Sequence, residues 1–582
     1  MRAQFIAIAA ALSLMFGAVS CVTINEQLGD NFIPTDQLWR VYPCEAQPLT
    51  EITMERSDSL SGYSTSRFTF GSVNDERFQS VKSTSFTLVP FAKDIDFGED
   101  WEVMQFHFSA ARDTFSVLYD YQKRMLQNVR VYELNQVLDS TILYTGAFSK
   151  EDVLTKFVNT DYAITAGTPI YNGGDSLSFD FSSAYAEKVI NGIIEWQKME
   201  KERRDSLDNY LKHVPGIYIC SDPQTERGGR INMFDLPIRA SDGYIDGNYA
   251  ELKINTRYKN REERTDTSFL FYFGPSEFLK DDATSYPAQY AFNASTNTAA
   301  SDFMSTWDRT EIYIEGGSGY KPVVKAAQIK EIVNNLIEEK SAEIDAGKVV
   351  INKATINLPY NVNGDWSKLD KYPLILSPTV KLMSDDKKYV SYAGLTDSSI
   401  ESENQGNINR SLSKYSPDIS HHVQEIVKLT QGKGEDVDPN ETDEQFAERI
   451  AKYDIWFLIM HEEITESNSP GSAYDDYYDN LLYNSYYNNM MYDPYGYGYG
   501  YGGYGGYGYG YGGYGYGGYG YNNYYNYMMM AQYASASSQP TTSSSIELDR
   551  DRFYNAILNG PESSGERPSL KITFSAPLKE EE

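Results

Sequence analysis

From Tyr495 to Tyr521 the chain is written in two letters, Tyr and Gly, without interruption. Glycine supplies no side chain to bury and leaves the backbone its freedom, so a run of this kind cannot form a packed core. The wider stretch from Tyr474 to Tyr533 holds 23 of the 49 tyrosines. Patterned sequence then returns, with Phe553 to Leu558 and a final strand pattern, Ser569-Leu570-Lys571-Ile572-Thr573-Phe574. The tract therefore reads as an insertion between the last two strands of a folded domain, not as a tail. Its rings are Tyr495, Tyr497, Tyr499, Tyr501, Tyr504, Tyr507, Tyr509, Tyr511, Tyr514, Tyr516, Tyr519 and Tyr521. Tyrosine rings stack and their hydroxyls donate, which suits an adhesive or partner-binding loop on sugars, peptides or other tyrosines. The plainer reading is a low-complexity expansion tolerated at a loop tip.

On either side of the insertion the pattern is mostly β. Aromatic and β-branched residues are plentiful, and turn residues recur at short intervals. Strand patterns cover Thr65 to Phe70, Ser83 to Val89, Glu102 to Phe108 and Asn128 to Glu133, then Ile217 to Ile219. Later ones cover Ala250 to Ile254, Ser268 to Phe273, Thr310 to Ile314, Val349 to Leu358 and Tyr453 to Met460. Alternation within 103–108 predicts Met104, Phe106 and Phe108 on one face of a half-buried strand. Two helices interrupt the strands. One is predicted from Ser183 to His213, with Val189, Ile190, Ile193, Ile194 and Trp196 at helical spacing and a charged second half. The other runs from Ala326 to Glu339 with Ile329, Ile332, Val333 and Leu336 on one side. The expected architecture is mostly β: two β-sandwich-like lobes with a few surface helices and a disordered Tyr/Gly-rich insertion. The lobes are placed at 51–225 and at 226–464 with 546–577, and the insertion at 465–545.

The N-terminus carries Arg2, an apolar run from Phe5 to Phe16, the small residues Gly17 to Ser20, and then Cys21. That order describes a secretory signal peptide over 1–20, too short to span a bilayer. A cysteine at the cut points to acylation of its thiol, although Ala18 stands where lipoprotein signals usually carry Leu. Cys21 is thus the expected lipidation site, and 21–50 a tether leading to the first strand. The alternative is an ordinary secreted protein whose Cys21 is incidental. Two further cysteines, Cys44 and Cys220, could form a disulfide in an oxidising compartment or remain unpaired core residues. Net charge is −31 with the signal and −32 once Arg2 is removed with it. So acidic a surface argues against nucleic acid and against electrostatic adsorption to polyanions.

No catalytic or metal motif completes itself. His461-Glu462-Glu463 begins like a zinc protease helix, but Thr465 occupies the second histidine position. His421 and His422 are adjacent, and in a strand they would face opposite ways. Gly316-Gly317-Ser318-Gly319 lacks the lysine ending of a phosphate loop and reads as a flexible turn feeding a helix. The acid-rich stretch Glu435 to Glu448 has no calcium-loop register and reads as a solvated loop. No metal or other cofactor is expected.

The order of several local patterns resembles a family of uncharacterised Bacteroidota outer-membrane lipoproteins, known as a domain of unknown function. The matching residues begin with Gly29-Asp30-Asn31-Phe32-Ile33-Pro34 and Phe70-Gly71-Ser72-Val73-Asn74-Asp75 with Phe78. Val129 to Leu134, Gly167 to Tyr171, Pro215 to Tyr218, Glu315 to Gly319, Ile351 to Ala354 and Arg567 to Phe574 continue it. The resemblance covers most of the chain after Cys21 but not the Tyr/Gly insertion. It implies the outer membrane, with the periplasmic or surface face left open because Val22-Thr23-Ile24-Asn25-Glu26 has one acid. It implies no catalytic residues. The expectation is a non-enzymatic envelope lipoprotein, held to the membrane by lipid, binding an envelope protein or glycan or taking part in envelope assembly. The alternatives are a glycan-capturing or glycan-processing surface lipoprotein and a structural component self-associating through its tyrosines.

Overall fold

A computed structural model describes residues 39–467 and 541–579 apart from 58–59, 61, 75–78, 114–124, 137–155, 237, 242–243, 260, 276, 279–288, 299–305, 384–389, 401–404 and 553. Cys21, its tether to residue 38 and the tyrosines of 495–521 lie outside the described residues.

The described chain is mostly β, in antiparallel sheets, with a few helices. In the first lobe the strand Gln79–Phe86 is central. It pairs with Ala291–Thr298 along one side and, on the other, with Ile217–Ser221 at one end and Arg67–Asn74 at the other, while Arg67–Asn74 also pairs with Gly228–Asp235. A second, five-stranded sheet runs in the order Ser176–Asp180, Asp100–Ala111, Tyr249–Arg257, Thr265–Phe273, Leu88–Pro90. Inward-facing aromatic rings fill the space between them. Phe108 stacks on Phe179 at 4.6 Å and on Phe273 at 5.0 Å. Such pairs add about 0.5–1.5 kcal/mol each beyond the area they bury.

Helix α1, Ser183–Gln197, closes this core by burying Val189, Ile190, Ile193 and Trp196. Its first turn is capped by the Ser182 hydroxyl, which accepts from the Tyr185 amide at 3.3 Å. The sequence pattern extends this helix to His213, but the helix ends at Gln197 with Lys198 as its cap, and the chain continues as two short helical segments, Lys201–Arg204 and Leu207–Leu211. The charged stretch after Trp196 has no apolar stripe to lay on the sheet. Breaking the helix returns Tyr210 against the Trp196 ring, edge-on at 5.2 Å.

The second lobe also pairs two sheets. One runs Trp39–Pro43, Ser569–Pro577, Val350–Pro359, then two short strands, and the other Val390–Gly394, Ile375–Met383, Ile455–Ser467, Tyr320–Val324, Ile52–Arg56. Thr541–Leu548 adds to Ile455–Ser467. Three further helices cover this core: α2, Ala326–Lys340, α3, Ser420–Lys428, and α4, Asp443–Ala451.

Several sequence expectations shift against this frame. A boundary at 225/226 would cut the first lobe, because the strands between Gly228 and Thr298 hydrogen-bond into its sheets. Trp39 to Arg56, placed in the tether and the first lobe, belongs to the second lobe through its pairing with the strands at 569–577 and 320–324. The insertion lies between Ile455–Ser467 and Thr541–Leu548, which pair with each other from Met460↔Leu548 to Ser467↔Thr541. It is therefore the connection of a hairpin, with two more strands to follow, not a link between the last two. Met104 does not share a face with Phe106. Lys253 pairs with Gln105 but Ile254 with Val103, so Met104 is the extra residue of a β-bulge and stands 55% exposed.

Candidate functional site

A cluster of charged side chains lies buried where the lobes meet. Arg67 Nε donates to Asp113 Oδ2 at 2.9 Å, with both side chains about 5% exposed or less. Lys82 Nζ donates to the Arg550 carbonyl and sits beside Asp551, and burial pushes its pKa down. The Asn293 amide ties its own strand to the strand Arg67–Asn74 and to the segment after Leu548: its Oδ1 accepts from the Thr69 amide at 3.0 Å, and its Nδ2 donates to the Arg67 carbonyl at 3.1 Å and to Asp551 at 3.3 Å. Across the junction, Lys321 Nζ donates to the carbonyls of Glu315, Gly317 and Gly319, and the Ser57 hydroxyl to the last two.

The cavity left among these groups is about 40 Å³, walled by Arg67, Asn293, Ser295, His461, Arg550 and Asp551 among others. That volume admits water but not a sugar ring or nucleotide. The charges there are spent on the chain itself, so the junction joins the two lobes. His461 and Glu462 lie on the long strand Ile455–Ser467, not on a helix, so the zinc-protease spacing has no helical face to act on. Gly316-Gly317-Ser318-Gly319, expected as a flexible turn before a helix, instead joins two strands and is buried in this junction.

The adjacent histidines lie in the first turn of helix α3, not in a strand. The Asp397 carboxylate accepts from both of their backbone amides, at 2.6 and 3.1 Å, and so caps the helix. His422 is buried with Nε2 at 2.9 Å from the Tyr453 carbonyl; burial lowers its pKa, leaving a neutral ring that donates. Part of the acid-rich stretch is likewise structured: Glu441 forms a two-pronged pair with Arg449, both contacts at 2.8 Å, and Thr442 with Gln445 caps α4. Cys44 and Cys220 are both free thiols, Cys44 packed against the second-lobe core and Cys220 in a separate cluster beside Tyr218. The disulfide weighed from sequence is absent because the two sit in different cores.

The exposed chemistry is on the outer face of the five-stranded sheet. Period-two alternation buries Phe106, Phe108, Leu177 and Phe179 and turns Gln105, His107, Ser178 and Asp180 outward. Antiparallel register sets His107 opposite Asp180 on one neighbour and Glu251 on the other. His107 Nδ1 lies 2.7 Å from Asp180 Oδ1, and its Nε2 lies 3.0 Å from the Ser178 hydroxyl. Gln105 Nε2 donates to the same Asp180 oxygen at 2.8 Å, and Lys253 pairs with Glu251 at 3.2 Å. The atom order serine, imidazole, carboxylate matches an acyl-transfer relay. The surroundings differ. His107 and Asp180 are 35% and 44% exposed, and water at that level weakens the electrostatic stabilisation such chemistry depends on. What the face offers is a plane of oriented donors and acceptors, half-open to solvent, with the Tyr249 ring beside Ser109 at one end.

A groove of about 510 Å³ also opens between α2, the end of α3 with the loop that follows it, and α4, lined by Ile337, Val427, Leu429 and Phe446. Lys330 spans it, donating to the Val427 carbonyl at 3.0 Å. Among the described residues there is no cluster of His, Cys, Asp and Glu able to hold a metal ion, and no helix is long and apolar enough to cross a membrane. Comparison with family models, with curated proteins and with solved structures finds no match to this chain.

No sequence motif marks this polar face. Its signal was present as the outward half of two alternating strands, Gln105-His107-Ser109 and Ser176-Ser178-Asp180. Only the register of the two strands shows that they meet.

Proposed function

We propose that this chain is a lipid-anchored lipoprotein of the Bacteroidota outer membrane that binds an envelope partner, protein or glycan, and is not an enzyme. The observation that carries the binding half of this reading is the open polar face of Gln105, His107, Ser178, Asp180, Glu251 and Lys253. A flat array of fixed donors and acceptors matches the hydroxyls of a glycan or the rim of a protein interface. The anchored half is supported by the signal-like start, Cys21 and the ordered family patterns.

The test is copurification from native membranes with the wild-type chain and with His107→Ala/Asp180→Ala. A partner recovered by the first and lost by the second supports the reading. Hydrolase turnover abolished by Ser178→Ala would replace it with a catalytic one. The glycan-capturing variant is favoured by Tyr249, whose ring borders the hydroxyl-rich row of Ser178 and Ser109. A polysaccharide array separates it from protein binding. Self-association through the tyrosines is tested by deleting Tyr495 to Tyr521, and unchanged assembly rejects it.

A further inference from the structure

The edge strand where the described chain begins has an outward face that the second-lobe core does not use. Leu570, Ile572, Phe574 and Ala576 point into that core, so the alternate residues of the same strand point away from it. Register places Trp39 beside Pro577 and lines Val41, Ser575 and Val350 across three strands. Trp39 is 52% exposed, Val41 56% and Val350 45%, and Pro43 next in line is exposed as well. One row further, Thr573 lies between Pro43 and Lys353, and Lys571 follows it, with both lysines exposed.

We infer that this strip rests on the lipid surface and orients the body against the membrane. The inference builds on the anchored reading. Only residues 22–38 separate Cys21 from Trp39, so the strip is where the body emerges from its tether. A tryptophan with small apolar neighbours and flanking lysines is the composition that settles at a bilayer interface, rings at headgroup level and ammonium groups reaching out to phosphate. Two exposed lysines at its end are a local exception in a chain of net charge −31, which favours an anionic headgroup over an acidic protein surface. The strip is also narrow. Three large apolar side chains fall far short of the area a stable protein interface needs, whereas a bilayer already joined by lipid requires only a weak second contact.

The processed chain, purified from the producing cells' membranes, is mixed with vesicles of phosphatidylethanolamine and phosphatidylglycerol whose acyl chains carry bromine. Expected is a quenched fraction of tryptophan fluorescence that disappears in Trp39→Phe and is mostly lost in Val41→Asp/Val350→Asp, while the acyl chains keep both variants on the vesicles. Both sites are exposed, and unchanged melting verifies that the variants fold. Equal quenching in wild type and Trp39→Phe overturns the inference. So does protection of Trp39 from iodide without vesicles, which would mean the chain's own N-terminal segment covers the strip. The mass of the N-terminal peptide separates the two readings. An acylated chain with unquenched Trp39 rejects the strip and keeps the anchor, while an unacylated chain quenched by added vesicles does the reverse.

Discussion

Glu441 shows how one side chain in an acid-rich stretch differs from its neighbours. Arg449 and the Gly432 amide both donate to its carboxylate, and together they hold its pKa down to about 2. Its side chain is only 7% exposed. Because the folded pKa lies below that of an unfolded glutamate, the stabilisation is fully present above roughly pH 4.3 and fades as pH falls toward the folded value. Thermal melts over that range should therefore show a loss of stability in wild type that Glu441→Gln lacks, with the variant already less stable at neutral pH. The thiols make a second case. Burial, then the charge of Asp222, pushes Cys220 up to about 12. Iodoacetamide at pH 8 should leave Cys220 unmodified in the folded protein and alkylate it in urea, and non-reducing mass analysis should show no Cys44–Cys220 bridge. Neither result was legible from spacing: a thiol's reactivity depends on neighbours remote in sequence.

At the scale of elements, the glycine loop between Glu311–Glu315 and Tyr320–Val324 matters more than its composition suggested. A methyl group on Gly316 would come within 2.2 Å of the Arg552 carbonyl, and Gly317 has φ near +58° with Ser295 Oγ 2.5 Å from where its Cβ would lie. The loop has to be glycine because another backbone passes against it. Gly316→Ala should lower stability by about 1–3 kcal/mol, measured by urea titration, since backbone must shift to make room. An alanine at exposed Gly347, where a Cβ meets nothing nearer than 3.4 Å, should have little effect. Several strand and helix positions were readable because alternation and helical spacing are local, while the strands Gly228–Asp235, Ala291–Thr298 and Ile375–Met383 and the helices α3 and α4 were not. Helix α2 was expected over Ala326 to Glu339 and spans Ala326–Lys340. The errors fall where a tertiary demand overrode the local pattern: the break after Trp196, which brings Tyr210 back, and the bulge at Met104.

At the scale of the whole molecule, the two lobes are interleaved in sequence. The described chain begins in the second lobe at Trp39–Arg56, builds the first through Thr298, and returns. The segment Asp549 to Arg552, just after the hairpin that carries the insertion, closes the junction through Lys82 and Asn293. The strands at 455–467 and 541–548 keep a continuous register right up to the insertion. Replacing residues 468–540 by a short glycine-containing turn should leave the melting temperature no lower, because the pairing of 460–467 with 541–548 is kept and a shorter closed loop costs less entropy. A fall of several degrees would mean that the insertion packs on the body.

The sequence by itself determined the mostly β class, the place of the Tyr/Gly insertion outside the periodic segments, and the incomplete spacing of each catalytic motif. These are properties of spacing along the chain, and spacing is what a sequence displays. Only the tertiary structure decided which strands are partners, and with that came the lobe boundaries, the separation of Cys44 from Cys220, the burial of Lys82 and Lys321, and the meeting of His107 with Ser178 and Asp180. Pairing between strands far apart in sequence is set by which apolar faces and registers close together into two cores, and no local window contains that information.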